Sequence, residues 1–316
     1  MIDTVIVDAA RTPVGRKMGK LAGAHPTDTL GHVMMKMLER QGLESGVVDQ
    51  VVGGCINKLA AQGMNVTRTA WLAHGGDIGT PCITIDSQCG SSQEATTLAH
   101  SLIASGMADV VMACGVENMS RLPIGSDAVG KDKTMGKPIS KSYFAHHEFT
   151  SQFEGAERVA EKYGITRQDT DEFACESQRR AKVAWEEGRF DREVFSVEAP
   201  VLGEDGQPTE ETRTVTRDQG LRDTTLEGLA GLNPVKEGGI HTPGSASQIS
   251  DGSAAVLWMS ADEAKARELK PRARIISGVV AGTDPYFLLD GPVDATAQLF
   301  KKTGMNMGDI DLVEIN

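Results

Sequence analysis

The chain has 316 residues, 40% of them hydrophobic, enough to bury a core spread over one large or two medium domains. A formal charge of −12 excludes a general phosphate-backbone binder, so nucleic acid is not an expected partner. No apolar run approaches the ~20 residues of a membrane span; with no basic leader at the start and five cysteines lacking CxxC or metal-type spacing, the expectation is a cytoplasmic protein with reduced thiols and no metal.

In chain order, "TVIVDA" (4–9) reads as a buried strand closed by the turn "ARTPVGR". "PTDTLGHVMMKMLERQG" (26–42) predicts an amphipathic helix with Leu30, Val33, Met34, Met37 and Leu38 on one face, ended by Gly42. A strand "VDQVVGGCI" (48–56), a helix "NVTRTAWLAHGG" (65–76), a strand "CITID" (82–86), a helix "SSQEATTLAHSLIASG" (91–106) and a strand "ADVVMACGV" (108–116) follow. This alternation predicts an α/β fold with a parallel or mixed sheet and helical crossovers. Residues 121–245 read as an inserted loop domain with two helices, "QFEGAERVAEKYG" and "TRQDTDEFACESQRRAKVAWEEGRF", and a polar arm, "EDGQPTEETRTVTRDQG". The strand "GSAAVLWMS" (252–260) is expected to return to the first sheet.

The second half repeats the first. "LERQGLESGVVDQVVG" (38–53) lies without gaps over "FKKTGMNMGDIDLVEI" (300–315), pairing Gly42 with Gly304, Gly46 with Gly308, Asp49 with Asp311 and Val51 with Val313. "RARIISGVVAG" (272–282) mirrors the opening strand, and "GPVDATAQLF" (291–300) the first helix. The predicted organisation is a first half from 1–120 and 246–271, an insertion at 121–245, and the start of a second, duplicated half at 272–316. Measured against the first copy, about 70 residues or more of the second half are expected beyond Asn316, which makes the sequence read as C-terminally truncated.

Cys89 stands between a strand and a helix opening at about Ser91. Backbone N–H groups and the helix dipole favour a thiolate at that end, and the same N–H groups can hold an oxyanion formed by attack on a thioester carbonyl. Gly90 permits the tight turn of such an elbow. From geometry alone a buried structural cysteine is equally consistent with the pattern. Cys114, inside "VVMACG", reads as core, and Cys55, Cys82 and Cys175 as structural. A cysteine nucleophile calls for a base, usually histidine. Of the seven histidines, His32 and His100 fall inside helices, and His146 and His147 lie in the insertion, where they could line a pocket. Glu117, where the chain leaves its strand after Cys114, is placed to support the loop near the site but is not taken as a site residue.

"RTPVGR", "DSQCGSSQEA", "ACGVENMS", "GSASQISDGSAAVLWM" and "GDIDLVEIN" resemble the thiolase family in order and spacing over the whole chain. The resemblance implies a five-layer α/β/α/β/α arrangement of two related halves plus a loop domain, assembled as a homodimer or homotetramer. It implies acyl transfer between a cysteine and coenzyme A, with coenzyme A as substrate and no other cofactor. Cys89 matches the acylated nucleophile, Asn316 the asparagine that holds a water in an oxyanion hole, Ser247 a serine near the pantetheine arm, and Arg222 a basic residue near the nucleotide end. The family's G-H-P histidine and C-x-G cysteine have no counterpart among these residues, so a chain ending at Asn316 is expected to turn over little or not at all.

Three departures point away from acetoacetyl-CoA as main substrate. Ser151 and Gln152, followed by Phe153, stand where short-chain thiolases carry a His-Met pair; Asp86 replaces an asparagine-type residue; and "CGSSQEA" replaces C-G-S-G. The pattern is most similar to thiolases that shorten steroid side chains. The expected function is therefore degradative: cleavage of a 3-ketoacyl-CoA to acetyl- or propionyl-CoA and a shortened acyl-CoA. The rivals are a non-catalytic thiolase-like subunit that binds acyl-CoA, an acetoacetyl-CoA-forming thiolase, and a ketoacyl synthase, which usually adds two histidines to the cysteine.

Overall fold

A computed structural model describes residues 2–128 and 136–315. Its elements are β1 (Thr4–Arg11), β2 (Gly15–Arg16), α1 (Pro26–Arg40), β3 (Gln50–Gly54), α2 (Val66–Ala73), β4 (Cys82–Ile85), α3 (Ser91–Ala104) and β5 (Val110–Asn118). There follow α4 (Gln152–Tyr163), α5 (Arg167–Glu186), β6 (Val197–Leu202), β7 (Pro208–Val215), α6 (Leu226–Ala230), β8 (Ser250–Ser260), α7 (Ala261–Ala266) and α8 (Gly291–Thr303). The chain forms two compact units: Met1–Lys131 with Arg189–Gly220 and Ile249–Ile275, and Asp132–Gly188 with Leu221–Gln248 and Ile276–Asn316.

The first unit is built on a mixed sheet of order β1-β8-β5-β3-β4, with β2 also pairing β8. β3, β4 and β5 run parallel, whereas β8 is antiparallel to both β1 and β5, so "GSAAVLWMS" does return to the first sheet. Neighbouring residues on these strands face opposite sides, and both sides are covered, which is why 110–116 of β5 and 254–259 of β8 run apolar without interruption. Val51, Met112 and Leu257 pack with Leu30, Val33, Met34 and Met37 of α1 and Trp71 of α2. Val52, Val111 and Trp258 pack with Ala95, Ala99 and Ile103 of α3. Burying each such Leu, Met or Val contributes about 1.5–3 kcal/mol, so these two clusters dominate the unit's stability.

Local signals fix the helix ends. His25 caps α1 by accepting the Thr27 N–H, Pro26 opens the first turn, and the chain leaves through Gly42 at φ +65°. Pro208–Val215, read from sequence as part of a polar arm, forms β7 and pairs β6; its side chains are mostly exposed, so no apolar alternation marks it as a strand.

In the second unit, Ser151 caps α4, Gly164 ends it in the left-handed conformation, and Thr166 with Asp169 forms a capping box on α5. Arg167 links α5 to α6 by donating to the carbonyls of Leu229 and Leu232 at 2.6 and 3.2 Å. The internal repeat is visible in the backbone. α8 ends at Gly304 with φ +74°, as α1 runs into Gly42, and short 3-10 turns follow at Ser45–Val47 and Met307–Asp309. Of the strands that the repeat predicts, 272–282 makes only an isolated antiparallel bridge, Ala273 with Ile6 of β1, and 310–315 joins no ladder among the described residues. An apolar extended segment becomes a strand only when a neighbour takes its backbone groups, and Ile276, Val280, Leu312 and Ile315 remain exposed. No helix among the described residues is long and apolar enough to cross a membrane.

Candidate active site

At the end of β4 the chain makes a tight elbow into α3. The Asp86 carboxylate accepts the Gln88 N–H at 2.8 Å, and the Ser91 hydroxyl accepts the Ser87 N–H at 2.9 Å while donating to the Gln88 carbonyl at 2.5 Å. Gln88 adopts φ +51°, the left-handed region, which costs a non-glycine residue roughly 1–2 kcal/mol and persists only where its surroundings hold it. Cys89 follows on the outside of this bend.

Of the five cysteines only Cys89 is exposed. Burial pushes the Cys55 thiol up to about 12, helped by the Glu117 charge, and burial also raises Cys82 and Cys114. These three are poor nucleophiles at neutral pH, as their structural reading requires. Two N–H groups at the elbow are committed to the turn, Gly90 to Ser87 O at 3.1 Å and Ser91 to Gln88 O at 3.0 Å. The N–H of Cys89 itself is therefore the elbow donor best suited to an oxyanion formed at its own sulfur.

Two glycines seat the elbow on the sheet. A Cβ on Gly54 of β3 would lie 2.5 Å from the Ser92 nitrogen and 2.6 Å from the Ser91 carbonyl carbon. On Gly115 of β5 it would collide with the Ser92 hydroxyl. The N-terminus of α3 thus rests directly on the backbone of two adjacent strands. Sequence reading missed both glycines, although "VVGG" and "ACGV" within apolar strands are a signal of close backbone approach.

Behind the elbow lies a second feature, in which Glu117 supports a loop near the site. Glu117 accepts the Ile56 N–H at 3.0 Å and the fully buried Gln62 amide at 2.6 Å, and Gln62 in turn accepts the Asn118 N–H at 2.7 Å. This network pins the 55–62 loop, from which Lys58 reaches Asp86 at 2.8 Å. Burial alone would raise the Asp86 carboxyl, but Lys58 and the Gln88 N–H outweigh it and hold the group below its ordinary value.

The other residues singled out from sequence fall as follows. Cys89 belongs to the first unit, Ser247 and Arg222 to the second, and Asn316 lies outside the described residues. Ser247 and Arg222 are both exposed, and the Arg222 backbone N–H is held by the Gln178 side chain at 3.0 Å. His25, His32 and His74 line a cavity of about 280 Å³ on the α1–α2 face of the sheet, opposite α3. His32 bonds the Ser196 carbonyl at 2.8 Å there, and burial lowers its pKa. His100 bonds Thr4, and His146 and His147 are exposed. Among the described residues no three His, Cys, Asp or Glu side chains converge as metal ligands.

Comparison with known proteins gives a consistent set of relatives. Residues 4–262 match the family described as thiolase, N-terminal domain. The chain is 39% identical over 321 residues to the steroid 3-ketoacyl-CoA thiolase FadA6 of Mycobacterium tuberculosis, the match covering 100% of this chain and 76% of that protein. It is 38% identical to an acetyl-CoA acetyltransferase of Pseudomonas aeruginosa, covering 100% of this chain and 81% of that one. The crystal structure of the Bacillus anthracis acetyl-CoA acetyltransferase superimposes with a TM-score of 0.86 at 33% identity, over 99% of this chain and 79% of that one.

Proposed function

The chain belongs to the thiolase family, and on that premise we propose that it is a degradative thiolase, cleaving a 3-ketoacyl-CoA with coenzyme A through an acyl group carried on Cys89. The observation that carries this reading is the elbow, which presents the chain's only exposed thiol at the N-terminus of α3. The Cys89 thiolate attacks the C3 carbonyl carbon, the C2–C3 bond breaks, and C2 takes up the electron pair and a proton to leave as acetyl-CoA. A methyl branch at C2 would make the leaving group propionyl-CoA. The thiol of coenzyme A then attacks the Cys89 thioester, giving the shortened acyl-CoA and the free cysteine.

Within this proposal the Cys89 N–H stabilises the oxyanion, Asn316 holds a water at a second oxyanion position, Ser247 contacts the pantetheine arm and Arg222 the nucleotide phosphates. A base must take the Cys89 proton and an acid must protonate C2; the family resemblance gives these tasks to the G-H-P histidine and the C-x-G cysteine. Sulfur nucleophiles and proton transfers account for every bond made or broken, so coenzyme A enters as substrate and no metal or redox cofactor is invoked. A bulky acyl group, of the steroid side-chain type, is favoured by the relative named for such a substrate. A cytoplasmic homodimer or homotetramer completes the reading.

The test is direct. Full-length protein incubated with a 3-ketoacyl-CoA and no free coenzyme A should gain one acyl group on the peptide bearing Cys89, as read by mass. Acylation at another residue, or full turnover by Cys89→Ser, would remove the assignment.

A further inference from the structure

We infer that Lys58 and Asp86 form a charged clamp that positions Cys89, making Lys58 a positioning residue for the thiol chemistry. The inference rests on the reading of Cys89 as the acyl-carrying nucleophile. Asp86 uses both of its oxygens: Oδ2 accepts from the Lys58 ammonium and Oδ1 from the Gln88 N–H, each at 2.8 Å. Gln88 is the left-handed residue, at φ +51°, and Cys89 is the next one along the chain. A residue in that conformation needs an external hold, and the Asp86 carboxylate supplies one to its N–H.

The clamp is anchored at its far end. Lys58 rises from the loop that Glu117 pins through Ile56 and through Gln62, which is fully buried. A continuous set of bonds therefore runs from the interior of β5 through the loop and the ion pair to the bend before the thiol. Lys58 and Asp86 are 34% and 28% exposed, and an ion pair so placed adds little to folding stability. Its removal is expected to loosen the elbow while leaving the fold intact. Geometry at a reacting atom is far more sensitive, since a small misplacement costs orders of magnitude in rate.

The experiment uses the full-length protein and two readouts: the rate of Cys89 alkylation by iodoacetamide, followed by peptide mass, and kcat and KM for thiolysis of a 3-ketoacyl-CoA. Lys58→Met and Asp86→Asn should each lower alkylation and kcat about tenfold, with KM within about twofold of wild type. Asp86→Ala, which also removes the Gln88 cap, should lose more. Lys58→Arg should recover most of the loss, and Lys58→Met with Asp86→Asn should be no worse than either alone. Alkylation and kcat of Lys58→Met within about twofold of wild type would overturn the clamp, as would a double variant whose losses multiply or a Lys58→Arg no better than Lys58→Met. Wild-type protein that 3-ketoacyl-CoA does not acylate at Cys89 would remove the thiolase reading alone, because the alkylation series still decides the clamp.

Discussion

The Ser92 backbone nitrogen occupies the space beside Gly54 where a side chain would begin, 2.5 Å from an ideal Cβ. Backbone cannot yield as a flexible side chain can, so Gly54→Ala must push α3 off the sheet and carry the elbow with it. The expected cost is about 1–3 kcal/mol in urea unfolding, with slower alkylation of Cys89. Gly42→Ala is the control. Its Cβ would meet nothing within 4 Å, but φ +65° strains any other residue, so it should lose about 1 kcal/mol and leave Cys89 unchanged. Equal effects of the two variants on Cys89 would show that Gly54 has no special hold on the elbow.

Thiol labelling of the native protein should rank the cysteines by environment. Cys89 is exposed and should react first with iodoacetamide at pH 8, and Cys175, half-buried, more slowly. Cys55, held near 12 by burial and Glu117, should stay unmodified until the protein unfolds, and Cys82 and Cys114 with it. Peptide masses over a labelling time course check this order. Cys55 reacting as fast as Cys89 would contradict the pinned 55–62 loop.

What could be read from sequence divides along a physical line. β1, α1, β3, α2, β4, α3 and β5 were legible because each carries its own periodicity, caps or bounding glycine. Cys89 on its elbow was legible for the same reason: strand, thiol, glycine and helix are consecutive. Gly42 and Gly304, aligned by the repeat, both take left-handed backbone, so the duplication holds locally. Strand pairing is not a local property. The polar arm hid β7, and the runs at 272–282 and 310–315 promised strands of which only Ala273, bridged to Ile6, finds a partner among the described residues. The Lys58–Asp86 pair spans 28 residues and the Glu117–Ile56 bond 61, distances at which no spacing rule links two residues.

Asp8 should prove one of the costlier surface-proximal positions to change. Its carboxylate is 3% exposed and receives Arg40 and Arg272 at 2.7 Å each, Gln41 at 2.7 Å and the Ala9 N–H at 2.8 Å. Asp8→Ala leaves these donors facing a buried void, at a cost of about 2–4 kcal/mol. The two arginines keep about a third of their exposure and can turn to water, which favours the lower end of that range. Urea unfolding with a shift below ~0.5 kcal/mol would show that the network is replaceable by solvent.

Glu157 on α4 should give the second unit an acid-sensitive joint. Burial alone would raise its carboxyl, but the Ile240 N–H at 3.0 Å, the His241 ring at 3.0 Å and the His241 N–H at 3.2 Å outweigh this and hold it below the ordinary 4.5. A depressed carboxylate stabilises the folded state fully above its unfolded value. That contribution is lost as pH falls from about 4.5 through the lower folded value. Glu157→Gln keeps an acceptor but removes the charge, so its stability should fall less steeply than wild type below pH 4.5 and the two curves should converge in acid. Glu157→Ala, which frees two backbone N–H groups in a half-buried loop, should cost about 1–3 kcal/mol at neutral pH. Thermal unfolding from pH 3 to 7 separates these cases, and parallel wild-type and Glu157→Gln curves throughout would exclude Glu157 as the titrating joint.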